Sequence, residues 1–581
     1  MDKYLLISLG HSASAIFING NMPIGYEQER LDGIKATSQF PHDAISEIIK
    51  NVGIENMRGC TTFISHWFDT NETQKLIEYR SKYITESNLN FIKSFSNKVV
   101  FVDDKFTHHD AHAYSSLLFF NSHLSQAQYT SRFVGDTLHL LVADGFGNNG
   151  EVLSLYRIRK SDLYTGDMTC IKKIYGYKSS LGLMYQYATS FCGMKENQDE
   201  YKFLGYEAHI TEVLSQTDIE KLNKLVDINC KALALEFSSN KKEHSNHLYD
   251  LNELISTKGA WHSIFGSIFE QFDVESDHHK RCIIAYFIQR TIETLIVDII
   301  KEYGIENIAV SGGLFYNVKL NNAILRNIKG VFSVMPLAGD QGAAFGMYYK
   351  HVRDIELPHT VSFRNLCIGT RNFYGIEDRL NNYENAKVCQ FNDETIFSIV
   401  DEIISNSIVN IVTGPMEFGP RALCNTSTLF LPTAELVSDN NTNNNRNDIM
   451  PCAPVILRED AGLFFDGEEL DRVVGSDNYM ICTHRYKFKI TPEFAGAMHF
   501  EPIMENGVRH YTGRPQLIGP TKSVIRSILE ELKKRGYPGI LVNTSFNAHG
   551  KPIAFNTSSI VENYEYQLAH CKNKPFLFVI K

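Results

Sequence analysis

Two histidines four residues apart, His108 and His112, have the types and spacing that most directly suggest chemistry in this chain. They lie in THHDAHAYSS (107–116). Residues i and i+4 share one face of a helix, so both imidazoles can reach one metal ion. Neutral imidazole is a common ligand of catalytic first-row metals. The spacing alone is weak evidence, because a chain with 21 histidines contains roughly one such pair by chance.

Two aspartates that follow apolar strand patterns could complete such a site. Asp144 comes directly after LHLLVA (138–143), and Asp340 lies in AGDQGAAFG after the apolar run 331–337. The carboxyl ends of strands border the crevice in which open α/β sheets bind ligands. Two histidines with one or two aspartates suit Fe²⁺, Mn²⁺ or Zn²⁺. The alternative is structural: Asp340 caps the helix that follows it, and Asp144 shapes a turn.

Glycine-rich turns recur through the N-terminal half. They are SLGHSAS near residue 10, DGFGNNG near 145, SGGLFYN near 312 and GDQGAAFG near 340. Such turns let backbone N–H groups approach a phosphate at helix N-termini, where the helix dipole also favours anions. Gly312 and Gly313 are therefore candidate nucleotide-binding residues. Together, the four turns favour a fold that binds a nucleotide or an acyl phosphate.

Polar residues of the C-terminal half form a second candidate binding region. Arg421 follows Gly419-Pro420, a stiff turn that would hold its guanidinium in place for bidentate recognition of phosphate. A cluster of uncharged donors and acceptors comes after the apolar strand 540–542, namely Asn543, Thr544, Ser545 and Asn547. The structural alternatives are a surface salt bridge for Arg421 and a turn network for the polar cluster.

The elements that would position these residues alternate between strands and helices, which predicts an α/β protein. Strand patterns occupy 4–9, 15–19, 138–143 and 307–310, and a helical period runs over 282–303. A second α/β or α+β half begins with strand-like residues 407–412. The stretch 353–372 is the best linker, so we predict domains at 1–356 and 357–581. The asparagine-rich segment 439–447 favours turns and loops over a packed element.

Composition narrows the class of protein. A chain of 581 residues is too long for one core, and 43% hydrophobic with 21% charged residues is ordinary globular balance. The net charge of −10, with no basic block of five residues, makes long nucleic acid an unexpected partner. The 11 cysteines form no CxxC pair, and no apolar run reaches membrane-spanning length. We expect a soluble cytoplasmic protein with free thiols and no membrane partner.

In their order along the chain, these motifs resemble those of O-carbamoyltransferases, the family that includes nodulation-factor, cephalosporin, novobiocin and aminoglycoside carbamoyltransferases. The similarity covers nearly the whole chain. The matching segments are GHSASAIFINGN, GYEQERLDGIK, HHDAHAYSS, SLGLMYQYAT, SGGLFYNVKLN, MEFGPRAL, CAPVIL and NTSFN. HHDAHAYSS corresponds to the family's metal-binding HxxxH. SGGLFYN corresponds to its Gly-Gly-Asn turn, which adds Asn317 to the candidate nucleotide-binding residues.

By this resemblance, the N-terminal domain has an actin/Hsp70-like, threonylcarbamoyl-transferase-like fold. The C-terminal domain has a YrdC-like α/β fold that forms carbamoyl-adenylate. Carbamoyl phosphate and ATP would give carbamoyl-AMP and pyrophosphate there, and the carbamoyl group would pass to a hydroxyl acceptor at the N-terminal metal site. The implied divalent ion is Fe²⁺, with Mn²⁺, Mg²⁺ or Zn²⁺ as alternatives. Its implied ligands are His108, His112, Asp340 and, as a further candidate, Asp144.

The resemblance also implies roles for residues around the two reactions. The negatively charged donor needs guanidinium and polar groups, for which the candidates are Arg421, Asn425, Arg446 and Arg509. Attack by an alcohol needs a proton acceptor, for which the candidates are His11 and His109. The acceptor would be a sugar, an antibiotic or, as in phage-encoded members, a hydroxymethylated pyrimidine nucleotide; in that case the protein belongs in the host cytoplasm. The sequence leaves open whether the protein forms a homodimer.

The chain departs from the family pattern in its C-terminal half. Pro415, Thr426, Asn444 and Met450 stand at positions that are usually basic, and Lys551 replaces a typical acid. Fewer cations are thus available for phosphate, so the metal site is better supported than the ATP contacts. Two rival functions also stay open: a threonylcarbamoyl-type tRNA-modifying enzyme, and a non-enzymatic actin-like nucleotide-binding protein whose activating half has decayed.

Overall fold

The computed structural model describes residues 2–20, 22–66, 82–103, 105–124, 130–239, 251–273, 276–355, 365–445, 452–488, 491–502 and 508–581. The N-terminal half has the strands β1 (Lys3–Ser8), β2 (Ser14–Asn19), β3 (Met22–Glu27), β4 (Cys60–Ser65), β5 (Ser96–Phe101), β6 (Thr137–Ala143), β7 (Glu151–Arg159), β8 (Thr169–Tyr175), β9 (Ile308–Ser311) and β10 (Phe332–Val334). Its helices are α1 (Gln28–Asp32), α2 (His42–Val52), α3 (Ile54–Met57), α4 (Glu86–Lys93), α5 (His108–Leu124), α6 (Leu181–Phe191), α7 (Glu200–Tyr206), α8 (Ile210–Val213), α9 (Gln216–Ser239), α10 (Leu251–Phe269), α11 (Asp277–Glu302), α12 (Val318–Arg326) and α13 (Asp340–Asp354).

The C-terminal half continues the numbering. Its strands are β11 (Cys367–Gly369), β12 (Ala386–Cys389), β13 (Val409–Thr413), β14 (Met416–Glu417), β15 (Thr426–Phe430), β16 (Ala453–Leu457), β17 (His484–Arg485), β18 (His499–Phe500), β19 (Tyr511–Gly513), β20 (Gln516–Ile518), β21 (Ile540–Ser545) and β22 (Phe576–Ile580). Its helices are α14 (Ile376–Leu380), α15 (Asp393–Ile404), α16 (Ala434–Asn443), α17 (Ala461–Phe464), α18 (Gly467–Arg472), α19 (Val524–Lys534) and α20 (Thr557–His570).

The two sheets of the N-terminal half repeat one topology. The first has the strand order β3-β2-β1-β4-β5, and the second has the order β8-β7-β6-β9-β10. In each sheet the first three strands form an antiparallel meander. The last two strands of each sheet run parallel to the first strand of its meander. The chain therefore builds the same arrangement twice.

Two helices at equivalent places of this repeat lie between the sheets. Helix α5 comes after β5, and helix α13 comes after β10. The two helices pack against each other, α13 against β1 and β4, and α5 against β6 and β9. Apolar residues of α5 and α13 share one core with residues of both sheets. Both helices are buried over most of their length, as expected for helices apolar on more than one face.

The C-terminal half is built on a mixed sheet in the order β12-β22-β13-β15-β21-β16-β20. Helices α15 and α19 share a core with one part of it, and α14 and α20 with another. A C-terminal segment also extends the second N-terminal sheet. Val473 bridges Phe332 of β10, and the N–H of Val474 donates to the carbonyl of Phe332 at 2.7 Å. The two halves are therefore packed together through backbone as well as side chains.

The mixed arrangement of strands and helices confirms the α/β expectation. The actin/Hsp70-like and YrdC-like assignments stay predictions, and so do the domain limits. The predicted boundary at 356/357 lies outside the described residues, and so do Arg446 and Met450. Within the ranges that are described, no helix is both long and apolar enough to cross a membrane.

The prediction of loops over 439–447 is wrong for its first part. Helix α16 runs to Asn443, and Asn440, Asn441 and Asn443 are buried. Its N-cap, Thr433, accepts a hydrogen bond from the N–H of Leu436. Such a cap, together with burial against the rest of the half, overrides the low helix propensity of asparagine.

Candidate functional site

Four of the predicted residues lie together in a buried cluster: His108, His112, Asp144 and Asp340. The Nε2 atoms of the two histidines are 3.1 Å apart. Oδ2 of Asp144 lies 3.3 Å from each of these nitrogens. Oδ1 of Asp340 lies 3.3 Å from Nε2 of His108 and 3.8 Å from that of His112. One potential ligand atom from each residue therefore points to a common centre.

The cluster is assembled from both sheets and both central helices. His108 is the first residue of α5, and Asp340 is the first residue of α13. Gly346 of α13 packs against α5 so closely that a Cβ there would overlap the carbonyl oxygen of Ala111. This contact needs glycine, since any side chain would push the helices apart. The packing of α13 on α5 thus brings Asp340 to the histidines.

Asp144 is held at the end of β6 by backbone donors. The N–H groups of Gly145 and Gly313 donate to its Oδ1 at 2.8 and 3.2 Å. A Cβ at Gly313 would lie 2.9 Å from this oxygen, so the turn after β9 approaches because the residue is glycine. The other carboxylate oxygen, Oδ2, is thereby turned toward the histidines.

The histidine rings and the α13 N-terminus are also fixed by hydroxyl groups. Nδ1 of His112 is hydrogen-bonded to the Ser311 hydroxyl at 3.2 Å, which leaves Nε2 for the cluster. The Ser8 hydroxyl donates to the backbone carbonyl of Asp340 at 3.0 Å. Partners of this kind orient metal ligands and raise their basicity. Ser8 ends β1 and Ser311 ends β9, so strands of both sheets support the ligands.

The electrostatics of the cluster favour a positive charge at its centre. Burial would lower the pKa of His108, but hydrogen bonds to Asp144 and Asp340 raise it to about 10. Those bonds hold the pKa of both carboxyls below their ordinary range, although burial acts in the opposite direction. Without metal, the site holds a proton at neutral pH among two carboxylates.

The donor set fits a divalent cation. Two imidazole nitrogens and two carboxylate oxygens lie within 4.8 Å of one another, and two carboxylates balance a double positive charge. Mixed nitrogen and oxygen donors suit Fe²⁺, Mn²⁺ or Zn²⁺. Among the residues that the structure describes, no second group of this composition was found. The choice between metals stays a prediction.

Two buried guanidinium groups of the C-terminal half, those of Arg421 and Arg514, interact electrostatically. In the described part of the chain, neither Arg421 nor Arg514 pairs with a carboxylate; Nη1 of Arg514 donates to the carbonyl of Met480 at 3.4 Å, and Nε of Arg421 has no hydrogen-bond partner. Burial lowers the pKa of Arg421. Burial and then the charge of Arg421 lower the pKa of Arg514 to about 9. Two close positive charges without a counter-ion are typical of an anion site.

Tyr316 interacts both with Arg421 and with the metal cluster, by which we mean the four candidate ligands His108, His112, Asp144 and Asp340. It belongs to the turn Gly313–Tyr316, whose first N–H holds Asp144. Its hydroxyl donates to Oε1 of Gln341 at 3.3 Å, next to Asp340. Arg421 and Asp340 both act electrostatically on Tyr316. The two candidate sites are therefore close enough to share one side chain.

The other predicted polar residues of the C-terminal half are mostly engaged with the protein. Asn425 donates to the carbonyl of Pro415 at 2.7 Å. Asn543 donates to the carbonyl of Ala422 at 3.0 Å and to Gln516 at 2.6 Å. Ser545 donates to Asn547, which in turn donates to the carbonyl of Lys551 at 2.7 Å. These groups shape the turns around Arg421, and their contact with a ligand stays a prediction.

Of the three arginines predicted for the anionic donor, Arg421 belongs to the arginine pair, Arg509 does not, and Arg446 lies outside the described residues. Arg509 donates to Thr211 of α8 at 3.0 Å and stacks over Phe500, so it joins the two halves. Arg514, in TGRPQ, interacts electrostatically with Arg421, and the sequence did not predict it. Asn444 is fully buried and accepts a hydrogen bond from Gln567 at 3.1 Å, so the loss of charge there is accommodated by an amide network.

The remaining predicted residues lie around the metal cluster or apart from it. Gly312 has φ +104, and a Cβ there would overlap the Ala143 carbonyl, so it shapes the turn beside Asp144. Asn317 caps α12 and donates to Gln289 at 2.7 Å. His11 is exposed. His109 is buried, with Nδ1 2.8 Å from the Ser154 hydroxyl, and burial and then His108 hold its pKa well below the ordinary value.

A separate cleft of about 450 Å³ lies between α11, α12 and the sheet β17-β19-β18. Its charged side chains are largely paired with each other. Arg290 pairs with Glu207 at 3.3 Å and with Glu293 at 2.9 Å, and Lys319 pairs with Glu207 at 3.1 Å. In contrast to the arginine pair, this cleft offers little uncompensated charge to a ligand.

Family models match most of the chain. Residues 5–348 match the model described as carbamoyltransferase N-terminus, and residues 400–570 match the carbamoyltransferase C-terminus. The chain belongs to the carbamoyltransferase family. The family resemblance inferred from the motifs is confirmed, and so is the expectation of an enzyme, a carbamoyltransferase.

Relatives of this carbamoyltransferase include proteins with and without a described role. An uncharacterized protein of Methanocaldococcus jannaschii is 26% identical over 96% of this chain and 95% of its own length. The nodulation protein NolO of Bradyrhizobium diazoefficiens is 26% identical over 48% of this chain and 50% of its own. The 3'-hydroxymethylcephem-O-carbamoyltransferase of Amycolatopsis lactamdurans is 28% identical over 26% and 27%.

Similar solved structures include two of HypF. One is from T. kodakarensis, with a TM-score of 0.29 and 13% identity, covering 62% of this chain and 48% of that one. The other, full-length HypF in a phosphate- and nucleotide-bound form, has a TM-score of 0.30 and 14% identity, covering 62% and 47%. This carbamoyltransferase spans about half the length of those structures.

Proposed function

We propose that this carbamoyltransferase is an ATP-dependent O-carbamoyltransferase that acts on a small hydroxylated acceptor. The observation that carries the proposal is the proximity of two unlike sites. A buried cluster of His108, His112, Asp144 and Asp340 suits a divalent ion, and an arginine pair without a carboxylate partner in the described residues suits an anionic donor. Tyr316 interacts with both. Transfer of an activated carbamoyl group needs these two environments side by side.

The first reaction makes the carbamoyl group electrophilic. Water hydrolyses carbamoyl phosphate to carbamate and phosphate. A carbamate oxygen then attacks the α-phosphorus of ATP, the bond to the β-phosphate breaks, and carbamoyl-AMP and pyrophosphate form. The charges of both reactants need guanidinium groups, which Arg421 and Arg514 would supply. Asn425, Asn543, Ser545 and Asn547 would contribute uncharged donors and acceptors, and Arg446 and Arg509 remain candidates from the sequence.

In the second reaction the acceptor oxygen attacks the carbamoyl carbon. A carbon–oxygen bond forms, the bond to the AMP phosphate breaks, and the hydroxyl proton passes to a base, for which His11 and His109 are candidates. A divalent ion, with Fe²⁺ as first choice, would supply Lewis-acid stabilisation of developing negative charge. His108, His112, Asp144 and Asp340 would hold it. Gly312 and Gly313 lie beside Asp144, with their backbone N–H groups donating to the carbonyl of Ala338 and to Asp144.

The fold supports the two-domain form of this proposal. The repeated strand order of the N-terminal half is what an actin/Hsp70-like fold with two related sheets requires. The mixed seven-membered strand order of the C-terminal half is compatible with a YrdC-like adenylate-forming domain. We propose a sugar, an antibiotic or a hydroxymethylated pyrimidine nucleotide as acceptor; the relatives named for nodulation and cephem carbamoylation support a small-molecule acceptor.

The proposal predicts ATP-dependent carbamoylation. Protein loaded with Fe²⁺, and in parallel with Mn²⁺, is incubated with ATP, carbamoyl phosphate and a panel of hydroxylated sugars, antibiotics and nucleotides. We expect pyrophosphate release, and mass spectrometry should detect addition of a carbamoyl group to one acceptor class. The same mixture with tRNA tests the threonylcarbamoyl-type alternative.

Two variants separate the proposed reactions. His112→Ala should abolish transfer to the acceptor while pyrophosphate release continues, because only the metal site is damaged. Arg421→Gln should lower pyrophosphate release and leave metal content unchanged. Equal loss of both reactions in both variants would contradict the division into two sites. Absence of both reactions in the wild type would reject the proposed function.

A further inference from the structure

Two charged residues of the N-terminal half contact the turn that presents Arg421. Arg30, in α1, donates from Nη2 to the carbonyl oxygen of Gly419 at 2.7 Å. Glu27, at the end of β3, interacts with the Gly419 N–H, which acts to lower the pKa of the Glu27 carboxyl. Both backbone polar groups of Gly419 are thus contacted from the other half of the molecule, two residues before Arg421.

The pair is buried and internally bonded. Nη2 and Nε of Arg30 lie 2.9 and 3.1 Å from Oε2 of Glu27. The side chains of Arg30 and Glu27 are only 1% and 2% exposed. A buried ion pair is weak evidence for stability, because desolvation of the two charges offsets their attraction. The expected benefit of such a pair is therefore geometric: it fixes what it contacts.

Within its own half the loop is tied after Arg421 by Glu417, whose Oε1 accepts hydrogen bonds from the N–H groups of Leu423, Asn425 and Thr426. Gly419, before Arg421, is held from the N-terminal half. Gly419 has φ +105, in the region that favours glycine, and a Cβ there would lie 2.6 Å from Cδ2 of Leu337. Leu337 lies three residues before the metal-cluster residue Asp340. The turn therefore packs against Leu337, in the segment that leads to Asp340. Arg30 and Glu27 further restrict the conformation of this turn.

We propose that Arg30 and Glu27 are positioning residues that act through Arg421, by holding the Gly419 peptide so that the Arg421 guanidinium faces the anionic carbamoyl donor. This inference rests on the proposed function for the identity of the donor. Neither residue contacts the donor, so the effect of changing them should appear in anion affinity only while Arg421 is present.

A double-mutant cycle on ligand affinity tests this without requiring turnover. Arg30→Gln, Arg421→Gln and the double variant are titrated calorimetrically with carbamoyl phosphate and with pyrophosphate. We expect each single variant to weaken binding about tenfold or more, and Arg30→Gln to add less than about twofold when Arg421 is already replaced. Arg30→Lys keeps the charge beside Glu27 but lacks the fork, so it should restore affinity only in part.

Arg472 provides a matched control. Its Nη1 donates to the carbonyls of Leu325 and Ile328 at 3.1 and 2.7 Å, so it too joins the two halves through backbone acceptors. Arg472→Gln should lower the melting temperature without coupling to Arg421. If Arg30→Gln does not fold, the same cycle is run with Arg30→Lys and with Glu27→Gln.

The outcomes decide the inference separately from the proposed function. Three results would overturn the inference. The effects of Arg30→Gln and Arg421→Gln on affinity could multiply, Arg30→Gln could have no effect, or the wild type could bind neither anion. Non-additive effects support it, also in a protein that binds the anions but carbamoylates no acceptor. That last result would reject the proposed function but still support the positioning of Arg421 by Arg30 and Glu27.

Discussion

Two histidines of α5 have the same kind of hydroxyl partner, but only one of them faces the carboxylates of the candidate metal site. His112 and His109 are both fully buried histidines with Nδ1 bonded to a serine, Ser311 in one case and Ser154 in the other. Only Nε2 of His112 points to the carboxylates. In the described structure Nε2 of His109 has no hydrogen-bond partner. The two serines therefore allow a matched comparison.

Ser311→Ala should weaken metal binding. Without its hydroxyl, the His112 ring loses the partner that fixes its orientation, and changes of this kind cost about 10–100-fold in metal affinity. The measurement is a competition titration of Mn²⁺ or Zn²⁺ against a chelator. Ser154→Ala is the control and should leave metal affinity within about twofold of wild type. Equal weakening in both variants would mean that the serines act only through general packing.

Metal affinity should rise with pH. The pKa of His108 is about 10 without metal, so at neutral pH an incoming ion must displace a proton from its imidazole. The folded pKa lies above the ordinary value of 6.5, so the proton is held through the whole range between them. We expect affinity to increase about tenfold per pH unit between pH 6.5 and 8.5. Calorimetry in buffers of different ionisation enthalpy should show release of a proton; a flat profile would contradict this.

The sequence predicted the four residues of the candidate metal site that the structure brings together, but not the full arginine pair. His108 and His112 could be found from helical spacing, and Asp144 and Asp340 from their places after apolar strands. Arg514 and Arg509 lie in similarly polar stretches of sequence. Only the folded structure shows that Arg514, and not Arg509, interacts with Arg421. Arg514 comes just before β20, which pairs with β16, whereas Arg509 is bonded to α8 of the other half. Pairing of distant strands cannot be inferred from local pattern.

At the scale of elements, the contact between α5 and α13 determines the geometry of the metal cluster. Each helix contributes ligands from its first residues, and the helices touch without intervening side chains at Gly346. The glycine is mid-helix, where it lowers helix stability relative to alanine. Its presence there is explained by the close approach that it allows.

Gly346→Ala should therefore destabilise the protein and weaken metal binding. A methyl group at this position would overlap the carbonyl of Ala111 and displace α13 together with Asp340. Gly259→Ala is the matched control, because a Cβ at that helical position of α10 meets nothing within 4 Å. It should raise stability by about 1 kcal/mol and leave metal affinity unchanged. Thermal unfolding and Mn²⁺ titration of both variants provide the measurements.

A second element-level contact depends on pH. His484 of β17 is fully buried, with Nε2 2.9 Å from Asp477 and Nδ1 3.5 Å from Glu469 of α18. Burial opposes protonation, but the two carboxylates raise the pKa of His484 to about 9. Because this folded pKa is above the unfolded value, the stabilisation is complete below about pH 6.5 and is lost as pH rises toward 9.

We therefore expect the melting temperature of the wild type to fall between pH 6.5 and 9. The His484→Gln variant is neutral throughout, so its melting temperature should fall less over the same range. Calorimetric scans at one scan rate provide the comparison. Parallel pH profiles for the two proteins would show that another group is responsible.

At the scale of the whole molecule, the repeated topology was not visible in the sequence. Strand patterns at 4–9 and 138–143 indicated the first strand of each sheet, yet the intervening residues share no recognisable repeat. The two sheets are seen to share one strand order only in the folded structure, where β1 pairs with β4 and β6 pairs with β9, both in parallel. The segment that carries Val473 completes the second sheet from the C-terminal half, which a two-domain division from sequence did not predict.

The placement of the ligands on both repeats has a consequence for the order in which the molecule matures during synthesis. His108, His112 and Asp144 leave the ribosome long before Asp340. A nascent chain that stops after β9 therefore has three of the four ligands and lacks the helix that closes the cluster. If these residues bind the proposed ion, its tight binding requires the second repeat to fold onto the first, and metal content would report whether the N-terminal half has been completed.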